Sequence, residues 1–244
     1  MIPTPTYLQF HLVFSLPVLA ALWYLAPRRD RGRQRRATAG IAILVAIAYA
    51  YTVPWIAYMI RRGAWSYADG AVLIRALSIP LGEYLFVAIQ TLVVAFALHR
   101  LGFDPTFRDG DFDRVPRAAG ALAGIGMLGG GLWLVSLDPS LLYLGGLIAW
   151  VGPVLALQWA VGWPYLLARW RTYLVGITAP TVYLWIADRV ALASGVWILS
   201  DEYTTGLSLL GLPIEEALFF LVTNAFVIQG LLLYPWVVDR WRSR

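Results

Sequence analysis

Cysteine and lysine are absent from this sequence, and histidine occurs only twice. Without cysteine the chain cannot form a disulfide, a thiol nucleophile, an iron–sulfur cluster or a cysteine-bound zinc site. Without lysine it cannot form a Schiff base, which excludes a retinal-binding protein. Two histidines are too few for a histidine-rich metal site. The sequence therefore predicts neither a metal nor a cofactor.

Charged residues are also scarce. They make up 14% of the 244 residues, whereas hydrophobic residues make up 60% and the mean hydropathy is +0.68. A soluble domain carries about 25% charged residues, so this composition predicts an all-α, multi-pass protein of the cell membrane. A membrane-spanning helix needs roughly 20 mostly apolar residues. By that measure the sequence predicts seven spans, at about residues 7–26, 38–60, 71–98, 118–137, 141–163, 172–194 and 207–238.

The arginines predict the orientation of these spans. All 19 basic residues are arginine, and most fall in segments that share one side of the membrane, including the run between residues 28 and 36. The positive-inside rule then places the N-terminus outside and the C-terminus inside. Because the arginines flank apolar spans, the bilayer is the expected partner and no nucleic acid is expected. A homo-oligomer is compatible with the sequence.

The two ends of the chain resemble each other. The tetrapeptide Pro-Val-Leu-Ala occurs at residues 17–20 and again at 153–156. Three further pairs recur in the same order at nearly the same spacing: Trp55 and Trp185, Gly63 and Gly195, and residues 80–86 and 213–219. Spans 1–3 and 5–7 are therefore predicted to be parallel repeats joined by span 4, with boundaries at 1–98, 99–140 and 141–244. Such halves usually build a site at their shared interface.

Ionisable side chains inside membrane spans are costly and indicate function by default. Here they are Glu83 in span 3, Asp188 with Arg189 in span 6, and Glu215 with Glu216 in span 7. The glutamates follow a proline, and the free N–H groups of a helix start favour a nearby carboxylate. A simple capping role is therefore an alternative to a functional site. For Asp188 and Arg189 an interfacial charge cluster is a second alternative.

Polar and aromatic side chains accompany the glutamates. Positions i, i+4, i+7 and i+8 share a helix face. On that face Glu83 is followed by Gln90, and Glu216 is followed by Asn224. Neighbouring aromatic residues complete the candidate site: Phe86, Phe219, Phe220 and Tyr84. Polar pairs also hold membrane helices together, so a structural role for Gln90 and Asn224 is equally open.

Two further motifs carry less weight. Residues 124–129 spell G-x-G-x-x-G inside an apolar span, without the strand that a dinucleotide site requires, so we interpret these glycines as helix-packing positions. The loop after span 3 contains four aspartates: Asp104, Asp109, Asp111 and Asp113. Such a run could hold Mg²⁺ on a diphosphate, but it alternates with arginines and we interpret it as a solvated loop.

Residues 213–220, Pro-Ile-Glu-Glu-Ala-Leu-Phe-Phe, and their copy at 80–86 resemble the Pro-x-Glu-Glu signature of the membrane-integral lycopene cyclases. That family includes a two-subunit actinobacterial form, a fused archaeal form and the cyclase half of a bifunctional fungal protein. The stretch 180–230 is similar to the archaeal form. One departure is visible, because Gly82 stands where the second copy has Glu215.

The resemblance implies an isomerase (an intramolecular lyase) that cyclises the linear ψ-ends of lycopene, or of a related linear carotenoid, to β-ionone rings, giving β-carotene with no net redox change. It implies protonation of the terminal double bond, ring closure of the tertiary cation and loss of a ring proton. Glu83, Glu216 and Glu215 then become candidate catalytic residues. The candidate substrate contacts are Phe86, Phe219, Phe220, Tyr84, Gln90, Asn224 and Asp188. Burial beside a second carboxyl favours a protonated acid. We hypothesise Glu216 as the acid and Glu83 as its partner or base, with the reverse assignment open.

Two other classes of protein are compatible with the sequence. A small-solute transporter also fits a 3 + 1 + 3 arrangement of parallel repeats, but it would need polar groups along a path through both leaflets. A membrane prenyltransferase would need Mg²⁺ and a diphosphate at the acidic loop. That loop lies outside the predicted spans, and a second aspartate cluster is missing from the sequence.

Overall fold

A computed structural model describes residues 4–26, 31–102 and 106–243, and most of this part of the chain is helical. Seven long helices follow one another: α1 (Tyr7–Tyr24), α2 (Arg31–Arg62), α3 (Leu81–Arg100), α4 (Arg114–Leu137), α5 (Leu142–Ala168), α6 (Trp170–Ala193) and α7 (Ile214–Arg242). A 3₁₀ turn, Pro139–Leu141, leads into α5. Residues 28–30 of the arginine-rich run and Asp104 of the acidic run lie outside the described residues. The all-α prediction is confirmed.

Six of these helices are long and apolar enough to cross a membrane, which agrees with a polytopic membrane protein. The helix that falls short of this measure is α6. It carries Arg171, Asp188 and Arg189, and these charged side chains lower its mean hydropathy. Its bounds nevertheless coincide closely with those of the sixth predicted span.

Short strands precede the central helices. The described residues contain three antiparallel pairs: β1 (Trp65–Ser66) with β4 (Ile198–Leu199), β2 (Arg75–Ala76) with β3 (Ile79–Pro80), and β5 (Ser208–Leu209) with β6 (Leu212–Pro213). Because two of these pairs are hairpins, α3 and α7 begin at residues 81 and 214, and the predicted starts at 71 and 207 were wrong. Leu77, Ser78, Leu210 and Gly211 have positive φ, as two-residue type I′ turns require. Leucines at these turn positions extended the apolar runs and misled the prediction.

The two repeats share local hydrogen bonds as well as motifs. The first amide of α3, on Leu81, donates to the Ile74 carbonyl at 2.9 Å. The first amide of α7, on Ile214, donates to the Leu207 carbonyl at 3.0 Å. In addition, β1 and β4 come from equivalent loops of the two repeats and pair with each other. The repeats therefore meet at this strand pair, while the exact domain boundaries stay a prediction.

Glycines allow α4 to lie directly against α5. A Cβ atom at Gly124 would lie 2.4 Å from the backbone nitrogen of Ala156, and one at Gly131 would lie 2.2 Å from that of Ala149. Small residues permit this close approach of two membrane helices. Gly124 thus has the packing role expected from the sequence, whereas Gly126 of the same motif meets no atom within 4 Å.

The centre of the bundle is formed by α3 and α7. In each of these helices 61% of the most apolar stretch is buried, compared with 17% in α4 and 22% in α1 and α2. The two helices also contact each other directly. Their first turns, which carry the predicted glutamates, therefore lie inside the protein rather than against lipid.

Candidate active site

A small cavity lies where the starts of α3 and α7 meet α1, α6 and the β1–β4 pair. Its volume is ≈ 40 Å³, which is room for only a few water-sized groups. The lining is aromatic and carboxylic: Tyr7, Trp65, Tyr67, Glu83, Phe86, Asp188, Trp197, Leu199, Glu216, Phe219 and Phe220. We call it the carboxyl cavity. It brings together three of the ionisable residues that the sequence singled out, Glu83, Asp188 and Glu216.

Glu83 and Glu216 occupy the same position in their helices. Each lies in the first turn, three residues after a proline that precedes the helix, and the two prolines have nearly equal φ values of −55° and −52°. Proline suits this place because it needs no amide partner there and fixes the direction of the chain. The two side chains are only 8% and 6% exposed. Both carboxyls are therefore buried and face one cavity.

Tyrosine hydroxyls contact both glutamates, but in unequal number. The Tyr67 hydroxyl donates to Oε1 of Glu83 at 2.8 Å, and the Tyr143 hydroxyl donates to Oε1 of Glu216 at 2.8 Å. The phenol of Tyr7 also lies beside Glu83 and interacts with its carboxyl. Glu83 thus has two phenolic partners and Glu216 has one.

Two of these tyrosines are equivalent positions of the repeat. Tyr7 begins α1 and Tyr143 lies at the start of α5. The amide of Tyr7 donates to the Ala71 carbonyl at 2.8 Å, and the amide of Tyr143 donates to the Tyr203 carbonyl at 3.1 Å. These matching backbone contacts tie each tyrosine to the loop that precedes its glutamate helix. The contacts hold the phenol beside the carboxyl.

Asp188 is a third carboxyl of the same cavity. It is 1% exposed, and its Oδ1 accepts a hydrogen bond from the Trp197 indole at 3.0 Å. Its Oδ2 has no hydrogen-bond partner among the described residues. The neighbouring Arg189 is exposed. The pair is therefore not one interfacial charge cluster, since the two side chains lie in different surroundings.

Phenylalanines form the apolar part of the cavity. The rings of Phe86 and Phe220 meet edge to face at 5.8 Å, and those of Phe219 and Phe220 at 5.5 Å. The Trp65 ring meets Phe219 in the same way at 6.1 Å. Edge-to-face packing is the favoured arrangement of aromatic rings. The rings therefore surround the glutamates; we call them the aromatic wall of the cavity. The sequence had placed Phe86, Phe219 and Phe220 beside the glutamates.

Three other predicted substrate contacts lie outside the cavity lining. The Tyr84 hydroxyl donates to the Ala76 carbonyl at 3.1 Å on the exposed side of the β2–β3 hairpin. The Gln90 amide donates to Asn224 Oδ1 at 2.9 Å, and the Asn224 amide donates to Thr181 at 2.9 Å. This buried chain links α3, α7 and α6. The structural alternative for Gln90 and Asn224 therefore fits their position better than substrate contact.

Glu215 also lies outside the lining, on another face of α7. Its Oε1 accepts hydrogen bonds from the backbone amide and the hydroxyl of Thr205, both at 2.7 Å. In the first repeat the equivalent residue is Gly82, where a Cβ would lie 2.3 Å from the Tyr7 ring. The difference at this position is therefore structural: a side chain at Gly82 would displace Tyr7, whereas Glu215 holds the loop before α7.

His11 is buried in α1, and both of its ring nitrogens are hydrogen-bonded. It begins a π-helical segment of α1, His11–Ser15, and is 1% exposed. Its Nε2 lies 2.9 Å from the Gly82 carbonyl, which can only accept, so Nε2 carries the proton; Nδ1 then accepts from Ser15 at 2.9 Å. The His11 ring stacks on Tyr7 at 4.9 Å. It therefore supports a tyrosine that contacts Glu83.

Four polar partners of the carboxyls are not among the site residues predicted from the sequence: Tyr7, Tyr67, Tyr143 and Trp197. A usable signal existed for three of them, because Tyr7 and Tyr143 recur at the repeat spacing and Trp197 is the counterpart of Trp65. The residue at the position equivalent to Tyr67 in the repeat is Leu199, so the repeat gave no signal for Tyr67.

The acidic loop has a structural partner. Asp111 is buried and forms a salt bridge with Arg169 at 3.1 Å, and its Oδ2 also accepts from the Arg108 amide at 2.7 Å. Within residues 4–26, 31–102 and 106–243, no group of three or more potential ligands could hold a metal ion. The described part of the loop therefore gives no support to the prenyltransferase alternative.

Comparison with known proteins places the chain in a family. A model of the lycopene cyclase family matches residues 6–101 and 141–235. The chain is 47% identical to the lycopene beta-cyclase of Halobacterium salinarum, over 98% of this chain and all of that protein. It is 32% identical to the bifunctional lycopene cyclase/phytoene synthase of Aspergillus niger, over 91% of this chain and 38% of that protein. No solved structure matches it. The two repeats, with their buried glutamates, thus belong to a member of the lycopene cyclase family.

Proposed function

We propose that the protein is a lycopene beta-cyclase and that the carboxyl cavity is its active site. The supporting observation is that two buried, symmetry-equivalent glutamates share one aromatic cavity. The reaction moves protons and closes a carbon–carbon bond without oxidation. It therefore requires an acid, a base and a dry site, and we assign all three to this cavity. In class, the enzyme is an isomerase of the intramolecular lyase type.

Glu216 is the proposed acid. Its proton is added to the terminal double bond of the ψ-end, which leaves a tertiary cation. The internal double bond attacks this cation, and a new carbon–carbon bond closes the six-membered ring. A carboxyl with a single phenolic donor, Tyr143, retains an oxygen that can carry the proton.

Glu83 is the proposed base that takes the ring proton. Hydrogen bonds to a carboxylate favour its charged form, and Glu83 receives one from Tyr67, with the phenol of Tyr7 as a second polar neighbour. The unequal number of phenols thus separates the roles of two otherwise equivalent residues. Proton gain and proton loss balance, so the product is an isomer of the substrate.

The aromatic wall protects and stabilises the cation. A cation over an aromatic face gains about 0.5–2 kcal/mol. Phe86, Phe219 and Phe220 supply such faces. On the loop side, Trp65 and Leu199 of the β1–β4 pair cover the cavity and keep out water, which would otherwise capture the cation.

Asp188 is the proposed link that restores the starting state. After each turnover the proton lies on Glu83 and must return to Glu216. Asp188 lines the same cavity and has an unpartnered Oδ2 that can accept and release a proton. A role in proton return explains why a third carboxyl is buried there.

In the cell the enzyme is proposed to span the cytoplasmic membrane, with its N-terminus outside. The substrate is a hydrocarbon that dissolves in the bilayer, so access from the lipid suits it better than an aqueous opening. A homo-oligomer remains a prediction from the sequence.

The decisive experiment is expression in a bacterium that accumulates lycopene. The wild-type chain should change the cells from red to orange, with β-carotene as the new pigment on chromatography. Glu216→Gln should abolish the change, because general acid catalysis contributes about 10²–10⁴-fold. The matched control is Glu202→Gln, which alters an exposed glutamate of the loop before β5 and should remain active.

Red pigment that persists in cells containing well-inserted wild-type protein would contradict the proposed function. Full activity of Glu216→Gln would leave the family assignment intact but remove Glu216 as the acid. The transporter alternative is checked with the same material, since vesicles carrying the protein should show no solute uptake above that of empty vesicles.

A further inference from the structure

An apolar groove lies between α5, α6 and α7, apart from the carboxyl cavity. Its volume is ≈ 400 Å³, about ten times that of the cavity. Its floor contains Leu155, Ile177 and Ala225, which are buried, and its rim includes Leu174 and Val182, which are exposed. In a membrane that rim contacts lipid. The groove is therefore open to hydrophobic molecules dissolved in the bilayer.

The groove begins close to the carboxyl cavity. On α6 it extends from Trp185 to Tyr173, a length of about 18 Å at 1.5 Å per residue. Trp185 lies one helical turn from Asp188, which lines the cavity. On α7 the groove residue Val222 is likewise within one turn of Phe219 and Phe220 of the cavity. Both helices thus carry a continuous face from one space to the other.

Residue size explains why the groove lies in the second repeat. Ala225 and Gln229 line it on α7. At the equivalent positions of α3 the chain has Leu92 and Phe96, which pack against a hydrophobic cluster between the helices. A bulky pair therefore occupies the corresponding face of the first repeat. The far end of the groove is closed by Gln229, whose amide donates to the Tyr173 hydroxyl at 2.7 Å.

We propose that this groove binds the conjugated arm of the carotenoid while its ψ-end reacts in the carboxyl cavity. The inference rests on the proposed cyclase function and assigns a second binding site to the same substrate. The cavity is far smaller than the substrate, so the long conjugated arm must lie elsewhere. The indoles of Trp159 and Trp185 flank the groove and offer flat faces to a flat polyene.

The test fills the groove with the side chain that the first repeat already uses. Ala225→Leu places a leucine where α3 has Leu92. The control is Ile186→Phe, which enlarges a lipid-exposed residue of α6 outside the groove. Each variant is assayed in liposomes with lycopene and with a shortened acyclic polyene that has one ψ-end and too few carbons to extend along the groove.

We expect Ala225→Leu to raise the KM for lycopene by roughly tenfold or more, because each lost methylene-sized contact costs about fourfold in affinity. Turnover of the short polyene should be unchanged, and Ile186→Phe should match the wild type with both. Equal behaviour of Ala225→Leu and Ile186→Phe would overturn the inference. So would equal impairment with both substrates, since the change would then act on the cavity or the fold.

A second measurement does not depend on turnover. In cells that accumulate lycopene, the pigment bound per mole of purified Glu216→Gln protein should fall when Ala225→Leu is added. If bound phospholipid falls instead and lycopene does not, the groove holds a lipid acyl chain and the inference is wrong. If pigment falls as expected but the wild type forms no β-carotene, the proposed function fails while the binding site stands.

Discussion

The unequal contacts of the two glutamates predict unequal effects of removing a single hydroxyl. Tyr67→Phe deletes the donor to Glu83, and Tyr143→Phe deletes the donor to Glu216, each at 2.8 Å. Both rings have packing partners that a phenylalanine would retain: Arg75 lies over Tyr67 at 5.4 Å, and Trp65 meets Tyr143 at 5.5 Å. The two variants therefore isolate the hydroxyl from the ring.

The direction of each effect follows from the location of the proton. A hydrogen bond to a charged group contributes about 1.5–3 kcal/mol, which corresponds to roughly 10- to 150-fold in an equilibrium. In the proposed mechanism one proton is distributed between the two glutamates. Removing the Tyr67 hydroxyl destabilises the carboxylate form of Glu83, so this proton shifts from Glu216 to Glu83. Less Glu216 is then in the protonated form that the reaction needs. Losing Tyr143 shifts the proton toward Glu216, where the reaction needs it. Tyr67→Phe should therefore lower kcat by roughly 10- to 150-fold, and Tyr143→Phe much less.

The assay is lycopene conversion in liposomes, followed by chromatography and normalised to inserted protein. Tyr51→Phe is the control, because this hydroxyl donates to the Trp150 carbonyl away from the cavity. It should retain wild-type turnover. A loss in Tyr143→Phe equal to or greater than that in Tyr67→Phe would refute the assignment of acid and base, even if both glutamates proved essential.

Three further outcomes test other parts of the structure. Gly131→Ala should lower the free energy of unfolding by about 1–3 kcal/mol, because the added methyl group would force α4 away from α5. Gly126→Ala is the control and should leave the free energy of unfolding unchanged. Thermal unfolding in detergent measures both. Asp111→Asn should cost about 3 kcal/mol in the same assay, since Arg169 loses its buried partner. Glu215→Gln should lower the unfolding temperature yet still convert lycopene, and loss of conversion in well-folded protein would restore it as a catalytic candidate.

Much of the helical layout could be predicted because it depends on local composition. Long apolar runs predicted the helices, and recurring motifs predicted the repeat and its glutamates. The same measure failed at residues 71–80 and 207–213, where leucines occupy tight turns that usually carry asparagine or glycine. Hydropathy cannot tell an apolar turn from an apolar helix, so the starts of α3 and α7 were placed too early.

The contacts of the site were harder to predict because they join distant parts of the chain. Tyr143 and Glu216 are 73 residues apart, and Gln90 and Asn224 are 134 apart. Helical spacing placed Gln90 on the same helix face as Glu83. It could not show that the Gln90 amide already donates a hydrogen bond to Asn224 of α7. Glu215 presents the same difficulty, since adjacent glutamates point to different faces and only one faces the cavity.

The repeat also explains why the site must be asymmetric. Two identical halves would surround their glutamates identically, and neither would then be fixed as acid or base. Three differences break the equivalence: Leu199 stands at the repeat position equivalent to Tyr67, Gly82 replaces Glu215, and Asp188 belongs to the second repeat alone. Two of these differences affect Glu83 directly, because Tyr67 donates to it and Gly82 leaves room for Tyr7. In the proposed mechanism, a symmetric scaffold thus supplies two carboxyls at matched depth, and a few substitutions around them assign opposite roles.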